Sequence, residues 1–118
     1  MKAHSMDWLV EGLVDQPGYL PKHMFGCRAC YYNGLLTLIL ADKDEPWNGL
    51  MVATDKERQT ALIRDFPALR PHEILPKWLY LSQDRDDFED IANELVELII
   101  QEDSRIGVVP KPKKRKPS

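Results

Sequence analysis

Serine, histidine and cysteine are scarce, with four, three and two among 118 residues. None of Ser5, Ser82, Ser104 or Ser118 carries the flanking pattern of an activated nucleophile. No GxGxxG, P-loop, GxSxG or HExxH run is present, which leaves dinucleotide, nucleotide, esterase and zinc-protease chemistry without a motif. No apolar run approaches the ~18 residues that a spanning helix needs. The first 15 residues carry acids inside their apolar stretch and have no small-residue cleavage site, unlike a secretory leader. His4, His23 and His72 fall in expected loops without His-x₃-His spacing, so they read as surface residues and not as metal ligands. Two thiols fit a reducing compartment, and the expected location is cytoplasmic.

What is present suits one small globular domain over residues 1–109. The apolar fraction is 43% and the charged fraction 30%. Net charge is −3, but five bases, Lys111, Lys113, Lys114, Arg115 and Lys116, sit in the last eight residues. Without them 11 bases face 19 acids, so residues 1–110 carry −8. An acidic body repels phosphate. This proline-spaced tail, expected to be disordered, reads as a solvated terminus; weak, salt-sensitive contact with nucleic acid through it is the alternative, and no membrane contact is expected.

Along the chain, residues 1–15 read as a short helix with Trp8, Leu9, Val10 and Leu13 on one face. QPGYLPK (16–22) reads as a loop. MFGCRACYY (24–32) and LLTLILAD (35–42) flank Asn33-Gly34, the dipeptide of a type I′ turn, and predict a two-residue hairpin. A strand at 50–54 follows, then a helix from about 55 to 66 opened by a Thr54/Glu57 capping box and burying Leu62, Ile63 and Phe66. ILPKWLYL (74–81) reads as a further strand. The last helix, capped by Asp84, places Phe88, Ile91, Ala92, Leu95, Leu98 and Ile99 on one stripe. Its clustered acids read as favourable charges at a helix start, not as a cation site. This order predicts an α+β fold: a single antiparallel sheet with helices packed on one face, a two-layer sandwich.

The turn also predicts a register, in which Tyr32 pairs with Leu35 and each earlier residue with the next later one. Alternation then puts Phe25, Cys27, Ala29, Tyr31, Leu36, Leu38 and Leu40 on a core face. Arg28, Cys30, Tyr32, Leu35, Thr37 and Ile39 fall on an open face. Cys27 and Cys30 form a CxxC, but on a strand they point to opposite faces, with α-carbons roughly 10 Å apart. A disulfide needs less than about 7 Å. The expected state is two unpaired thiols, Cys27 in the core and Cys30 partly exposed; a redox or metal site with His23 and His72 is the alternative. Lys77-Trp78-Leu79-Tyr80 interleaves a base with aromatics, and one of its two rows could extend the open face.

Met24-Phe25-Gly26, the strand ending Tyr31-Tyr32-Asn33-Gly34, and the second apolar strand resemble the N-terminal domain of TfoX-type proteins. The capped helix and Lys77-Trp78-Leu79-Tyr80-Leu81 are similar to the related MmcQ/YjbR-like α/β domains. The resemblance covers residues 20–105. Cys27 stands where family members often carry glycine. The resemblance implies a small bacterial regulatory protein without an established catalytic centre or cofactor. The expected function is therefore non-enzymatic: a protein-interaction domain that meets a protein partner or a second copy. Its expected interaction surface is Arg28, Cys30, Tyr32, Ile39, Lys77 and Trp78, because arginine and aromatics are favoured at interfaces.

Overall fold

A computed structural model describes residues 4–110. The basic positions Lys111, Lys113, Lys114, Arg115 and Lys116 lie outside the described residues. A 3₁₀ turn, Asp7–Val10, runs into helix α1, Glu11–Val14. Strands β1 (Tyr19–Met24), β2 (Cys27–Tyr32), β3 (Leu35–Asp42) and β4 (Asn48–Val52) follow. Helix α2 (Lys56–Asp65), strands β5 (Arg70–Pro71) and β6 (Leu79–Ser82), and helix α3 (Phe88–Ile100) complete the order. All six strands form one antiparallel sheet, β1-β2-β3-β4-β6-β5, so the class is α+β. Among the described residues no helix is long and apolar enough to cross a membrane.

Several elements depart from the sequence reading. The expected loop at 16–22 gives way to β1, which pairs with the whole of β2. Pro21 is tolerated there because β1 is an edge, where only one side of the strand must join a ladder. The expected strand at 74–81 shrinks to Leu79–Ser82, and Lys77 and Trp78 lie in the preceding loop. Asp55, not Thr54, caps α2: its carboxylate accepts the Arg58 N–H at 3.0 Å. The Thr54 hydroxyl instead donates to the Arg105 carbonyl at 2.7 Å. Asp87, not Asp84, precedes α3, with no side-chain cap. Trp8 is exposed, while Met6, Leu9, Val10 and Leu13 go inward.

The Asn33-Gly34 turn forms as expected, with φ of 50° and 86°. Tyr32 pairs with Leu35 and Tyr31 with Leu36. Beyond them the register shifts: Cys30 pairs with Leu38, Ala29 with Ile39 and Arg28 with Leu40. Thr37 is the extra residue of a β-bulge, and its hydroxyl donates to the Cys30 carbonyl at 2.8 Å. One inserted residue exchanges faces for the rest of the hairpin, because side chains alternate with period two.

The consequence is two apolar clusters. The first joins Cys30, Tyr32, Leu38, Leu40, Leu50, Val52, Leu79 and Leu81 to the helical residues Leu13, Leu62, Phe88, Leu95 and Ile99. Each such Leu or Phe contributes about 1.5–3 kcal/mol of transfer free energy before entropy. The second joins Cys27, Ala29, Leu36, Ile39, Ala41, Met51, Ala53 and Tyr80, with Met24, Tyr31, Trp47, Trp78 and Val108 packed on it. None of these belongs to a helix.

Candidate functional site

The expected interaction surface is not one surface. Arg28 is 3% exposed, and Cys30 and Tyr32 are buried in the first cluster beside helical residues. Ile39 is buried in the second. The bulge at Thr37 is the cause: it separates Ile39 from the three β2 residues with which the uninterrupted register groups it. Lys77 is exposed and Trp78 half-buried.

Arg28 reaches the N-terminal segment. Its Nε lies 2.8 Å from Asp7 Oδ1 and its Nη2 3.1 Å from Oδ2, a two-pronged ion pair. The guanidinium hydrogen bond holds the Asp7 carboxyl below its usual range. Beneath it, the Tyr19 hydroxyl meets Cys30 Sγ at 3.6 Å. Burial pushes the Cys30 thiol up to about 12, and burial also raises Cys27 against the pull of Lys43. Reactive thiols need the opposite shift. The two cysteines are unpaired and sit in opposite clusters, as the strand geometry predicts, but both are buried. Among the described residues no group of three or more His, Cys, Asp or Glu side chains is placed to hold a metal ion.

The second cluster opens into an apolar groove of about 510 Å³. Met24, Cys27, Ile39 and Met51 form its floor; Trp47, Leu75 and Trp78 line its walls. Phe25 and Lys43 stand at its lip. That volume and lining fall within the usual range for binding sites, ~300–1,000 Å³ and mostly apolar.

A buried histidine fixes the walls. His72, expected at the surface, is 1% exposed. Its Nε2 donates to the Pro46 carbonyl at 2.7 Å, and its Nδ1 accepts the Ile74 and Leu75 N–H groups at 3.1 Å each. These bonds tie the loop carrying Leu75 to the loop carrying Trp47. The Trp47 ring lies 4.5 Å from the imidazole, and the Tyr80 ring meets it edge-on at 5.3 Å. The Tyr80 hydroxyl donates to Glu45 Oε1 at 2.6 Å and accepts the Asn48 N–H at 2.8 Å. The bond to Glu45 holds that carboxyl below its usual range, while burial raises the Tyr80 phenol.

The lip is a second tight turn. Met24 pairs with Cys27, so Phe25-Gly26 is a two-residue connection, with φ of 52° and 78°. Asn or Asp is the usual first residue of such a turn, since a bulky side chain at positive φ is strained. Phe25 accepts that conformation and yet is 87% exposed. Two groups hold the turn: Lys43 Nζ donates to the Phe25 carbonyl at 2.5 Å, and Cys27 Sγ to the same oxygen at 3.8 Å.

No family model, curated protein or solved structure matches the chain. Phe25, expected in the core, is exposed, and Met24, Lys43, Trp47, Met51 and Leu75, which line the groove with it, lie outside the expected interaction surface. The glycine of Phe25-Gly26 is the one sequence signal of this turn; phenylalanine is not a turn residue by composition, and the stretch before it carries the loop signature of Pro17, Gly18 and Pro21.

Proposed function

We propose that this protein is a small, non-enzymatic interaction domain of the TfoX N-terminal type, bacterial and cytoplasmic, with its helices layered on one face of the sheet. Its working surface is the opposite face, where Phe25 stands beside the Trp47/Trp78 groove. A protein partner, or a second copy, buries that ring and fills the groove. The observation that carries this reading is Phe25: a large apolar side chain in a left-handed conformation, largely presented to solvent and repaid by little packing within its own chain. Backbone strain retained without a folding return points to a binding role. Aromatic anchors at interfaces are held in a ready conformation for the same reason, since ordering them beforehand lowers the entropy cost of association.

The experiment is site-specific photocrosslinking. A benzophenone amino acid at position 25, in the native host, is expected to give a discrete protein adduct. The same probe at Glu73, exposed in the loop before Leu75, is expected to give none. Absence of any adduct at position 25 contradicts the reading.

A further inference from the structure

A second cleft, of about 460 Å³, lies between α1 and α3. Leu9 and Val96, both of the helical cluster, line it, so it is separate from the Phe25 groove. Trp8, Glu11, Glu89, Asn93 and Glu97 complete its lining. Neither Asp7–Val14 nor α3 contains a lysine or arginine. Among the described residues no cation lies within ion-pair distance of Glu11, Glu89 or Glu97. Glu97 also stands in the last turn of α3, where the helix dipole disfavours a carboxylate and favours a cation.

We infer that this cleft receives the chain's own basic end, Lys111 to Lys116. Carboxylates alone would hold any cation, but the cleft is more selective. Glu89 and Glu97 are eight residues apart, ~12 Å along a helix. That spread is too wide for one metal ion and suits a row of separate cations. Trp8, 47% exposed in the same cleft, adds an indole, the ring that best attracts an ammonium or guanidinium. Charge and reach then name the occupant. Residues 1–110 hold 11 bases and 19 acids, whereas five of the last eight residues are basic. The described chain stops at Pro110, three residues past Gly107. Gly107 shares a hollow with Ile99 and Glu102, at the C-terminal end of α3, so the tail sets out from the Glu97 end of the cleft. An extended chain rises ~3.1 Å per residue, so Lys111 to Lys116 can span ~16 Å. Tethering makes the contact intramolecular, at an effective concentration of order millimolar, so exposed ion pairs suffice although each is weak. A polyanion must compete with the cleft for the same bases.

A nitroxide attached to the full chain at Ser118→Cys tests this, with amide signals read by magnetic resonance. Cys27 and Cys30 are buried and escape the label. At low salt the Trp8 indole N–H and the amides of Glu89 and Asn93 are expected to broaden several-fold more than that of Arg70, exposed at the far edge of the sheet. At ~1 M salt, where the Debye length is ~3 Å, this excess should vanish. Combining Glu11→Gln, Glu89→Gln and Glu97→Gln should abolish it at low salt with an unchanged circular dichroism spectrum, since all three residues are exposed. Equal broadening of Trp8, Glu89 and Arg70 overturns the docking, as does an excess that survives high salt or the triple glutamine variant. Mixing spin-labelled chains with isotope-labelled chains that lack the nitroxide should leave the cleft signals sharp. Broadening there puts another copy's tail in the cleft and overturns the assignment to the chain's own end.

Discussion

Replacing Phe25 by asparagine should stabilise the monomer. The ring is 87% exposed, so only about an eighth of its surface is hidden by its own chain. For an aromatic side chain of roughly 150–250 Å² that is ~20–30 Å². At ~25 cal/mol/Å² the burial lost is about 0.5–0.8 kcal/mol. Against it stands the left-handed backbone at φ 52°, which costs an ordinary L-residue ~1–2 kcal/mol and costs asparagine much less. The difference favours Phe25→Asn over wild type by about 0.5–1 kcal/mol, or a rise in Tm of ~2–8 °C for a domain of this size. Alanine loses the same burial and gains less relief, so the expected order of Tm is the asparagine variant above both wild type and Phe25→Ala. Differential scanning calorimetry checks it at micromolar concentration, where pairing adds little to wild-type stability. A Tm for Phe25→Asn below that of wild type refutes the reasoning, because it means the ring holds the fold together.

Three further outcomes follow from the same structure. Asp7 titrates below its usual range in the folded chain because of Arg28, so its stabilising contribution is present above about pH 4 and is lost as pH falls through the lowered value. Asp7→Ala should cost about 1–2 kcal/mol at pH 7 in urea midpoints, discounted for a carboxylate that is 38% exposed, and should shrink the loss of stability on acidification; an unchanged acid limb contradicts the ion pair. Cys30, pushed up to about 12 by burial, should resist an aromatic disulfide reagent at pH 8 until the chain unfolds, and rapid labelling of both thiols in the folded protein contradicts its placement. His72→Phe leaves the Pro46 carbonyl and two N–H groups without their partner and should cost about 2–4 kcal/mol. Tryptophan emission should shift to the red as Trp47 loosens; unchanged stability and emission contradict the role given to the imidazole.

Much of the fold was legible in local chemistry. Asn33-Gly34 bends as its residue types require, and the α3 stripe from Phe88 to Ile99 lies where its 3.6-residue spacing puts it. These features depend on neighbours a few residues apart. The assignment of faces depends on one more fact, that Thr37 is an inserted residue. Nothing near Thr37 announces a bulge: its hydroxyl finds the Cys30 carbonyl only once the two strands are paired. That single residue brings Leu38 and Leu40 onto the face of Arg28, Cys30 and Tyr32, beside the helical residues, where Asp7, 21 positions earlier than Arg28, receives the guanidinium. Both sheet faces are apolar between Cys27 and Ala53, so alternation alone does not say which face the helices take. The groove has no sequence signature for a related reason. Its walls come from loops at Trp47 and Leu75, drawn together by a histidine whose partners are backbone groups and so leave no mark in side-chain spacing.

The most direct measurement is fluorine magnetic resonance on the full chain with 4-fluorophenylalanine placed at position 25 alone. If that ring exists to be buried by another molecule, its resonance moves away from the solvent-exposed position when the chain is observed inside its native host, and Leu75→Glu, which puts a charge in the groove wall, abolishes the movement. A resonance that stays at the exposed position there contradicts the account. So does a resonance that is already shielded in the dilute monomer.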